Sequence, residues 1–382
     1  MSRKIFIIII AICTFVMTGL FFYYENFIAV KTVDASEISE RKIFPLKIPE
    51  WIPEPAAETT STPKEEIPTF SLLAVGDIML DRSVMLKTQD AKDYNHPFLL
   101  IDPLLKEYDL HLANLEGPIT TNKSIANGTG GARFTFTFSP NFVEPLKNRF
   151  QFLSLANNHE LNFGQKGVAQ TRKYLGDAGV QYFGDPENKA GLIAVTTTYN
   201  GISLAFVGYH QLVETGFDTV VNEIKKLNTE VDVVIVMPHW GTEYVLDKPT
   251  PLQKQEAHEM IDSGADIIIG AHPHVTQPIE MYKDKVIFYS LGNFVFDQYF
   301  SPETMTGLAV GMQFEKQKEN IDVTYHLIPL DINGVSQPSV ASDTKKETVL
   351  RMLQKYSIAD ENFKQNIASS TFNSLIPYGT DK

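Results

Sequence analysis

Short apolar segments that end in polar residues recur along the chain from about residue 69 onward. The segments at 71–75, 110–113, 152–156, 231–237 and 265–269 have strand length, and they predict buried strands. Helix-like stretches at 165–178, 218–228 and 251–262 lie between them, and Gly179 and Gly264 stand near the expected ends of the first and the last. Strands that alternate with helices predict an α/β fold with a parallel or mixed sheet.

Four further segments, at 203–208, 286–289, 308–314 and 323–327, predict strands that complete one or two sheets. The last two alternate apolar and polar positions more regularly, as antiparallel strands do. After about residue 332 the sequence turns polar, with one helix predicted at 344–356. The pattern therefore predicts a folded domain at 69–335 and a polar C-terminal tail at 336–382 with one helix.

The N-terminal region has a different composition. An apolar run at 5–24 is long enough to cross a bilayer, and Arg3 and Lys4 precede it, which predicts an uncleaved anchor at 1–24 with the remainder outside the cell. A cleaved signal peptide is the alternative. Residues 25–68 are rich in Pro, Glu, Thr and Ser and predict an extended spacer. We therefore expect a single-pass cell-membrane protein with an extracellular C-terminal domain.

Charge and cysteine content limit the chemistry. The net charge of −13 and the pI of about 5.2 argue against nucleic acid and anionic membrane surfaces as partners recruited by charge. The single cysteine, Cys13, lies in the apolar N-terminal run, so the rest of the chain has no thiolate to offer a metal. Any metal site must use His, Asp, Glu and Asn.

Such side chains stand at the ends of the five predicted strands, where α/β sheets bind their ligands. His272 and His274 flank Pro273, and in extended backbone residues two apart point the same way. Each position also has a structural interpretation, as a helix cap, an Asx turn or a packed core histidine. Together the set predicts a divalent metal site, with Mn, Fe or Zn favoured. Its members are Asp77, Asn114, Glu116, Asn158, His159, His239, His272 and His274, whereas His96, His111, His210, His258 and His326 look structural or solvated.

Six motifs resemble the bacterial CapA (PgsA) capsule-synthesis family, over about residues 70–330. They are Gly-Asp-Ile-Met at 76–79, Asn-Leu-Glu at 114–116, Ala-Asn-Asn-His at 156–159, His-Trp-Gly-Thr-Glu-Tyr at 239–244, the segments Gly-Ala-Asp and Gly-Ala-His-Pro-His within 264–274, and Tyr-Ser-Leu-Gly-Asn-Phe-Val-Phe-Asp at 289–297. That family is tied to poly-γ-glutamate production and is related to the calcineurin-like metallophosphoesterases.

The resemblance implies a metallophosphatase-like four-layer αββα sandwich with one or two divalent metal ions. It implies Asp77, Glu116, Asn158, His239, His272 and His274 as metal ligands and His159 as the general acid. Three positions depart from the metallophosphoesterase pattern: Met79 replaces a histidine ligand, Asn157 replaces a glycine, and Glu116 or Asn114 must replace the bridging aspartate. A single-metal or altered site is therefore as plausible as a two-metal site.

The segment at 290–297 allows two interpretations: Asn293 near the site, or a tight turn at Gly292 with Phe294 and Phe296 packed beside it. The turn is the favoured one. For the whole chain we expect an extracellular subunit that supports poly-γ-glutamate synthesis or export. Its expected partners are synthase subunits and an anionic polymer. A metal-dependent hydrolase of phosphoesters or of a polymer amide is the alternative, and a scaffold with a vestigial site ranks last.

Overall fold

The computed structural model describes residues 67–127 and 130–378 of the chain. The predicted anchor at 1–24 and nearly all of the predicted spacer at 25–68 lie outside the described residues. In the part that is described, no helix combines the length and apolar character needed to cross a membrane.

The described residues form strands and helices in close alternation. The strands are β1 (Thr69–Ile78), β2 (Leu110–Leu115), β3 (Phe152–Ser154), β4 (Gln181–Phe183), β5 (Ala194–Tyr199), β6 (Ile202–His210), β7 (Val233–His239), β8 (Ile267–Ile269), β9 (Ile279–Tyr282), β10 (Lys285–Phe288), β11 (Asn293–Val295), β12 (Thr306–Lys316), β13 (Asn320–Ile332), β14 (Pro338–Val340) and β15 (Thr371–Pro377). The α-helices are α1 (Arg82–Ala91), α2 (Asp102–Leu105), α3 (Val143–Lys147), α4 (Gly164–Ala178), α5 (Phe217–Leu227), α6 (Pro251–Asp262), α7 (Asp343–Tyr356) and α8 (Glu361–Ala368). Short 3-10 helices occur at His96–Phe98, Gly130–Phe134 and Pro140–Phe142.

Two mixed sheets organise these elements. The first has the strand order β14-β13-β12-β1-β2-β3-β4, with β11 added to β1 and β15 added to β13. The second has the order β5-β6-β7-β8-β10-β9. In the first sheet β1 pairs in parallel with β2 and antiparallel with β12, and β12 and β13 are antiparallel as their alternating pattern predicted. The prediction of an α/β fold with mixed sheets is confirmed.

Side-chain alternation along the strands places helices α1 to α6 on the outer faces of the two sheets. Leu72 of β1 and Phe206 of β6 pack in the core between the sheets. Leu73, next to Leu72, belongs to a second core under α1 to α4, and Val207, next to Phe206, belongs to a third under α5 and α6. These cores divide the structure into helix, sheet, sheet and helix layers, as expected for an αββα sandwich.

The C-terminal segment is more ordered than the predicted polar tail with one helix. The predicted helix is present as α7, but α8 and β15 follow it, and β15 pairs with β13 along seven positions from Asn320↔Pro377 to His326↔Thr371. Leu353 of α7, Phe363 of α8 and Phe372 of β15 are buried in the core between the sheets. The expectation of one helix was therefore wrong. The sequence pattern did not reveal α8 and β15 because their few buried apolar residues lie among many polar ones.

Candidate metal centre

Polar side chains from both sheets meet beyond the carboxyl ends of parallel strands. Asp77 and Asn114 pair side by side in β1 and β2, and His239 ends β7. The remaining predicted positions follow β2, β3 and β8. Direct contacts join all eight predicted site residues into one cluster. They are Asp77, Asn114, Glu116, Asn158, His159, His239, His272 and His274.

One group of ligand atoms comes from Asp77, Glu116 and His239. These side chains are buried, and one ligand atom from each lies within 4.8 Å of the others. Asn114 Nδ2 donates to Asp77 Oδ1 at 2.8 Å, and His239 Nε2 lies 2.8 Å from Asn158 Oδ1. An ion bound by both His239 and Asn158 would replace that hydrogen bond, so Asn158 is well placed as a further ligand.

A second group comes from Glu243, His272 and His274, whose ligand atoms also lie within 4.8 Å of one another. His274 connects the two groups, because its Nδ1 lies 3.4 Å from Asp77 Oδ2 and its Nε2 lies 3.6 Å from Glu116 Oε1. Glu243 is exposed and was not among the predicted ligands, although it belongs to the motif at 239–244. The structure therefore adds one carboxylate to the candidate set.

His272 and His274 converge for a reason other than the one the sequence suggested. The expectation of extended backbone was wrong, because their φ angles are 97° and 59°, in the left-handed region. The turn is fixed from outside: His272 N–H donates to Asp77 Oδ2 at 3.3 Å, and the carbonyl of Pro273 accepts from Tyr244 N–H at 2.9 Å. Strained backbone that surrounding contacts hold in place is typical of functional sites.

The electrostatics of the cluster are dominated by ionisable side chains that are buried, some of them without a hydrogen-bond partner among the described residues. Glu116 is fully buried, and neither of its carboxylate oxygens has a hydrogen-bond partner within the described residues. Burial raises the pKa of Glu116 well above its ordinary value. Burial also lowers the pKa of His272 to about 3, whereas His274, which burial alone would lower, has a pKa raised to about 9 by the carboxylates of Glu116 and Asp77.

A divalent cation fits this donor set. In the described chain, the orphaned oxygens of Glu116 and the orphaned Nδ1 of His272 are buried donor atoms that a positive ion would satisfy. Carboxylate, imidazole and amide groups suit Mn, Fe and Zn, and a bound ion would balance the charge of Asp77 and Glu116. The residues that would hold it are Asp77, Glu116, Asn158, His239, Glu243, His272 and His274.

His159 lies at the rim of the cluster, with its Nε2 3.7 Å from Glu116 Oε1 and its Nδ1 3.2 Å from Asn162 Oδ1. Its ring stacks on Phe136 at a centroid distance of 4.2 Å. Burial lowers the pKa of His159 to about 4, so the ring is neutral near neutral pH. Asn162 Oδ1 is an acceptor for the proton of Nδ1, and Nε2 faces the carboxylate of Glu116.

Asn157 and Asn114 support the cluster from below. Asn157 Nδ2 donates to Asn114 Oδ1 at 3.2 Å and to the carbonyl of Leu115 at 2.8 Å. Its Oδ1 accepts from the main-chain N–H of His159 and of Glu160. Asn157 thus joins the ends of β2 and β3.

Asn293 contacts the site, so the favoured interpretation of its segment as a turn alone was wrong. It is the first residue of β11, it pairs with Asp77 of β1, and its Oδ1 lies 3.0 Å from Nδ1 of His274. The turn is nevertheless present, because Gly292 has a φ of 70°. Asn293 therefore orients His274 directly.

Met79 is buried and does not enter the cluster as a ligand. Its Sδ accepts from the main-chain N–H of Asp81 at 3.1 Å, and its own N–H donates to the carbonyl of Val295. The sulfur at this position thus stabilises the turn before α1.

Comparison with known proteins identifies relatives over most of the chain. Residues 71–298 match the model of a family described as Bacterial capsule synthesis protein PGA_cap. The PGA biosynthesis protein CapA of Bacillus subtilis (strain 168) is 32% identical over 329 residues, which cover 80% of this chain and 82% of that protein. The capsule biosynthesis protein CapA of Bacillus anthracis is 33% identical over 307 residues, which cover 75% of this chain and 73% of that protein.

Among solved structures, the calcineurin-like phosphoesterase YfkN from Bacillus subtilis is similar over 82% of this chain and 91% of that chain. The sequence identity is 14% and the TM-score is 0.40. The layers of this chain follow from its own strand order and core packing.

Proposed function

Since the chain belongs to the bacterial capsule synthesis protein family PGA_cap, we propose that it supports the synthesis or export of poly-γ-glutamate through a divalent metal centre. Two relatives named for PGA or capsule biosynthesis align with three quarters or more of the chain. The observation that carries the metal centre is the buried carboxylate of Glu116, which has no hydrogen-bond partner among the described residues and lies 3.7 Å from His159 Nε2 and 3.6 Å from His274 Nε2.

We place the folded domain outside the cell. The support comes from the sequence: an apolar run at 5–24 follows Arg3 and Lys4, and a proline-rich spacer separates it from the domain. In this arrangement the spacer holds the domain away from the membrane, where it meets the synthase subunits and the growing polymer.

The charge of the chain bears on how an anionic polymer would bind. With a net charge of −13 the overall field repels poly-γ-glutamate, so attraction must come from a local cation. A divalent ion in the centre supplies a Lewis acid for an anionic oxygen when it is bound. The residues that would hold the ion are the buried Asp77, Glu116 and His239 on one side and the exposed Glu243 on the other.

A metal-dependent hydrolase of phosphoesters or of a polymer amide is the second candidate function. The neutral ring of His159 favours it, because mere ion binding does not need an imidazole whose Nε2 lies 3.7 Å from the Glu116 carboxylate. Such a group can take up or release a proton beside a reacting bond.

The metal content of the purified full-length protein tests the proposal, beside a His272→Ala/His274→Ala variant and a His326→Ala control. His326 is exposed and lies in β13, away from the centre. We expect a transition metal in the parent and the control and its loss in the double variant. Absence of metal from the parent after reconstitution with Mn, Fe and Zn would refute the metal centre.

The same alleles test the capsule role in a poly-γ-glutamate-producing bacterium that lacks its own homologue. We expect the parent and the His326→Ala allele to restore the polymer and the double variant to fail. If the double variant restores polymer to the level of the parent, the centre does not serve capsule production. Hydrolysis of phosphodiester or γ-glutamyl substrates by the parent alone would favour the second candidate function.

A further inference from the structure

His210 is a buried histidine at the end of β6 for which the cluster described above has no use. It is 3% exposed, and it stands opposite His239 in the parallel pairing of β6 with β7. The two ring centroids are 6.0 Å apart, with the ring planes at 67°. His210 is therefore not solvated, and it lies next to one of the residues that would hold the metal ion.

Hydrogen bonds fix the position and the tautomer of His210. Its main-chain N–H donates to Asn188 Oδ1 at 2.9 Å, and its carbonyl accepts from Asn188 Nδ2 at 2.8 Å. The ring Nδ1 lies 2.8 Å from the carbonyl oxygen of Pro186. Because a carbonyl oxygen only accepts, Nδ1 carries the hydrogen, and the lone pair of the neutral ring is on Nε2.

That lone pair has no protein partner. Nε2 of His210 is buried and makes no hydrogen bond to any other described residue. Burial lowers the pKa of His210, so the ring does not gain a second proton near neutral pH. A buried acceptor left unsatisfied is unfavourable, and the usual explanation in a folded protein is a water or an ion that the site binds.

We propose that Nε2 of His210 accepts a hydrogen bond from a water molecule that completes the coordination of the metal ion. The inference rests on the metal centre proposed above. His210 belongs to neither group of ligand atoms, which places it outside the direct ligands. The hydrogen bond from Nδ1 to the carbonyl of Pro186 fixes the orientation of the ring and therefore the direction of Nε2.

The position of His210 relative to two predicted ligands agrees with this role. The ring of His210 lies beside that of His239, and the ring of His239 lies 4.7 Å, centroid to centroid, from that of His272. His210 is thus a positioning residue: it would orient the water from the side of His239, whereas His159 faces the centre from the side of Glu116.

Two substitutions distinguish the loss of the hydrogen-bond acceptor at His210 Nε2 from a general effect on the folding of the protein. His210→Asn keeps an amide N–H near the position of Nδ1, where it can still donate to Pro186, and removes the acceptor at Nε2. His210→Gln places an amide oxygen near the position of Nε2 and serves as the rescue variant. The control is His111→Asn, since His111 is also buried but both of its ring nitrogens have partners, Gln151 Oε1 and the carbonyl of Leu105.

The measurement is binding of cobalt(II) alone to the full-length protein, followed by its visible absorption and by competition with a chelator. We expect about tenfold weaker binding and an altered absorption spectrum for His210→Asn, and recovery of most of the affinity in His210→Gln. His111→Asn should bind as the parent does. Thermal unfolding without metal shows whether each variant is folded.

The outcomes distinguish this inference from the function on which it rests. If the parent binds cobalt(II) and both His210 variants match its affinity and spectrum, the role of His210 is refuted while the metal centre stands. If His210→Asn and His210→Gln are weakened equally, the acceptor at Nε2 is not the cause and the inference is also wrong. If the parent binds no cobalt(II), both the centre and the role of His210 are refuted.

Discussion

Glu160 offers a quantitative test of how burial of a carboxyl group changes its pKa and the pH dependence of the stability of this protein. It directly follows His159 in the sequence, and it is fully buried. The nearby guanidinium of Arg172 is engaged by Asp185, with Nη2 2.8 Å from Oδ2. Burial raises the pKa of Glu160 from 4.5 to about 8.

The sign and size of the effect follow from linkage. A carboxyl group whose pKa is higher in the folded than in the unfolded state stabilises the fold only while it is protonated, so stability falls as pH rises from 4.5 to about 8. At roughly 1.4 kcal/mol per pKa unit, the free energy of unfolding should fall by about 2–3 kcal/mol between pH 5 and pH 7 because of this group alone.

The assay compares Glu160→Gln with the parent by urea denaturation across this pH range, with a chelator present. Glutamine cannot ionise, so its stability relative to the parent should rise by about 2–3 kcal/mol from pH 5 to pH 7. Glu347→Gln is the control, because its side chain is 70% exposed and its pairing with Arg351 contributes little. Parallel curves for the parent and Glu160→Gln would refute the assignment of a raised pKa to buried Glu160.

Three further substitutions test other parts of the structure. Glu243→Gln removes the outer carboxylate at constant size, and metal affinity measured by chelator competition should fall about tenfold. Gly76→Ala places a Cβ 1.8 Å from the carbonyl oxygen of Gly292, so urea denaturation should show a loss of about 3 kcal/mol or more. Leu353→Ala in α7 empties part of the core between the sheets and should cost about 2–5 kcal/mol in the same assay.

Each of these has a matched substitution that should change little. Asp247→Asn removes an exposed carboxylate close to Glu243 in sequence, and equal metal affinities for both variants would show that Glu243 is not a ligand. Gly131→Ala meets no atom within 4 Å, so equal losses at both glycines would contradict the steric argument. Leu375→Ala changes a side chain that is 54% exposed. If both leucine substitutions lowered the free energy of unfolding equally, the burial of Leu353 in the core would be contradicted.

Much of the fold was predictable because its central strands are buried on both faces and so form continuous apolar runs. The prediction at 231–237 corresponds to β7, Val233–His239, and the prediction at 251–262 corresponds to α6. The location of the polar cluster was predictable for a related reason, because residues that directly follow parallel strands lie at the same edge of the sheet.

The parts that were missed depend on tertiary contacts. Glu243 lies in a loop after Gly241, whose φ is 87°, and it approaches the centre because Tyr244 N–H binds the carbonyl of Pro273 in a different loop. No local pattern signals that contact. In β15, by contrast, a signal existed: buried Phe372, Ser374 and Ile376 alternate with more exposed neighbours, but a small buried serine weakens the pattern.

The hydrogen bond from His272 N–H to Asp77 joins residues 195 positions apart, and it has a consequence for the order of events during folding. Closing so long a loop is slow and entropically costly, so the two halves of the centre meet only after most of the domain has assembled. An incompletely folded chain would therefore offer a metal ion no complete binding site. A divalent ion in the proposed centre would bind the finished domain and stabilise it by mass action, so the supply of metal would affect how long the folded protein persists.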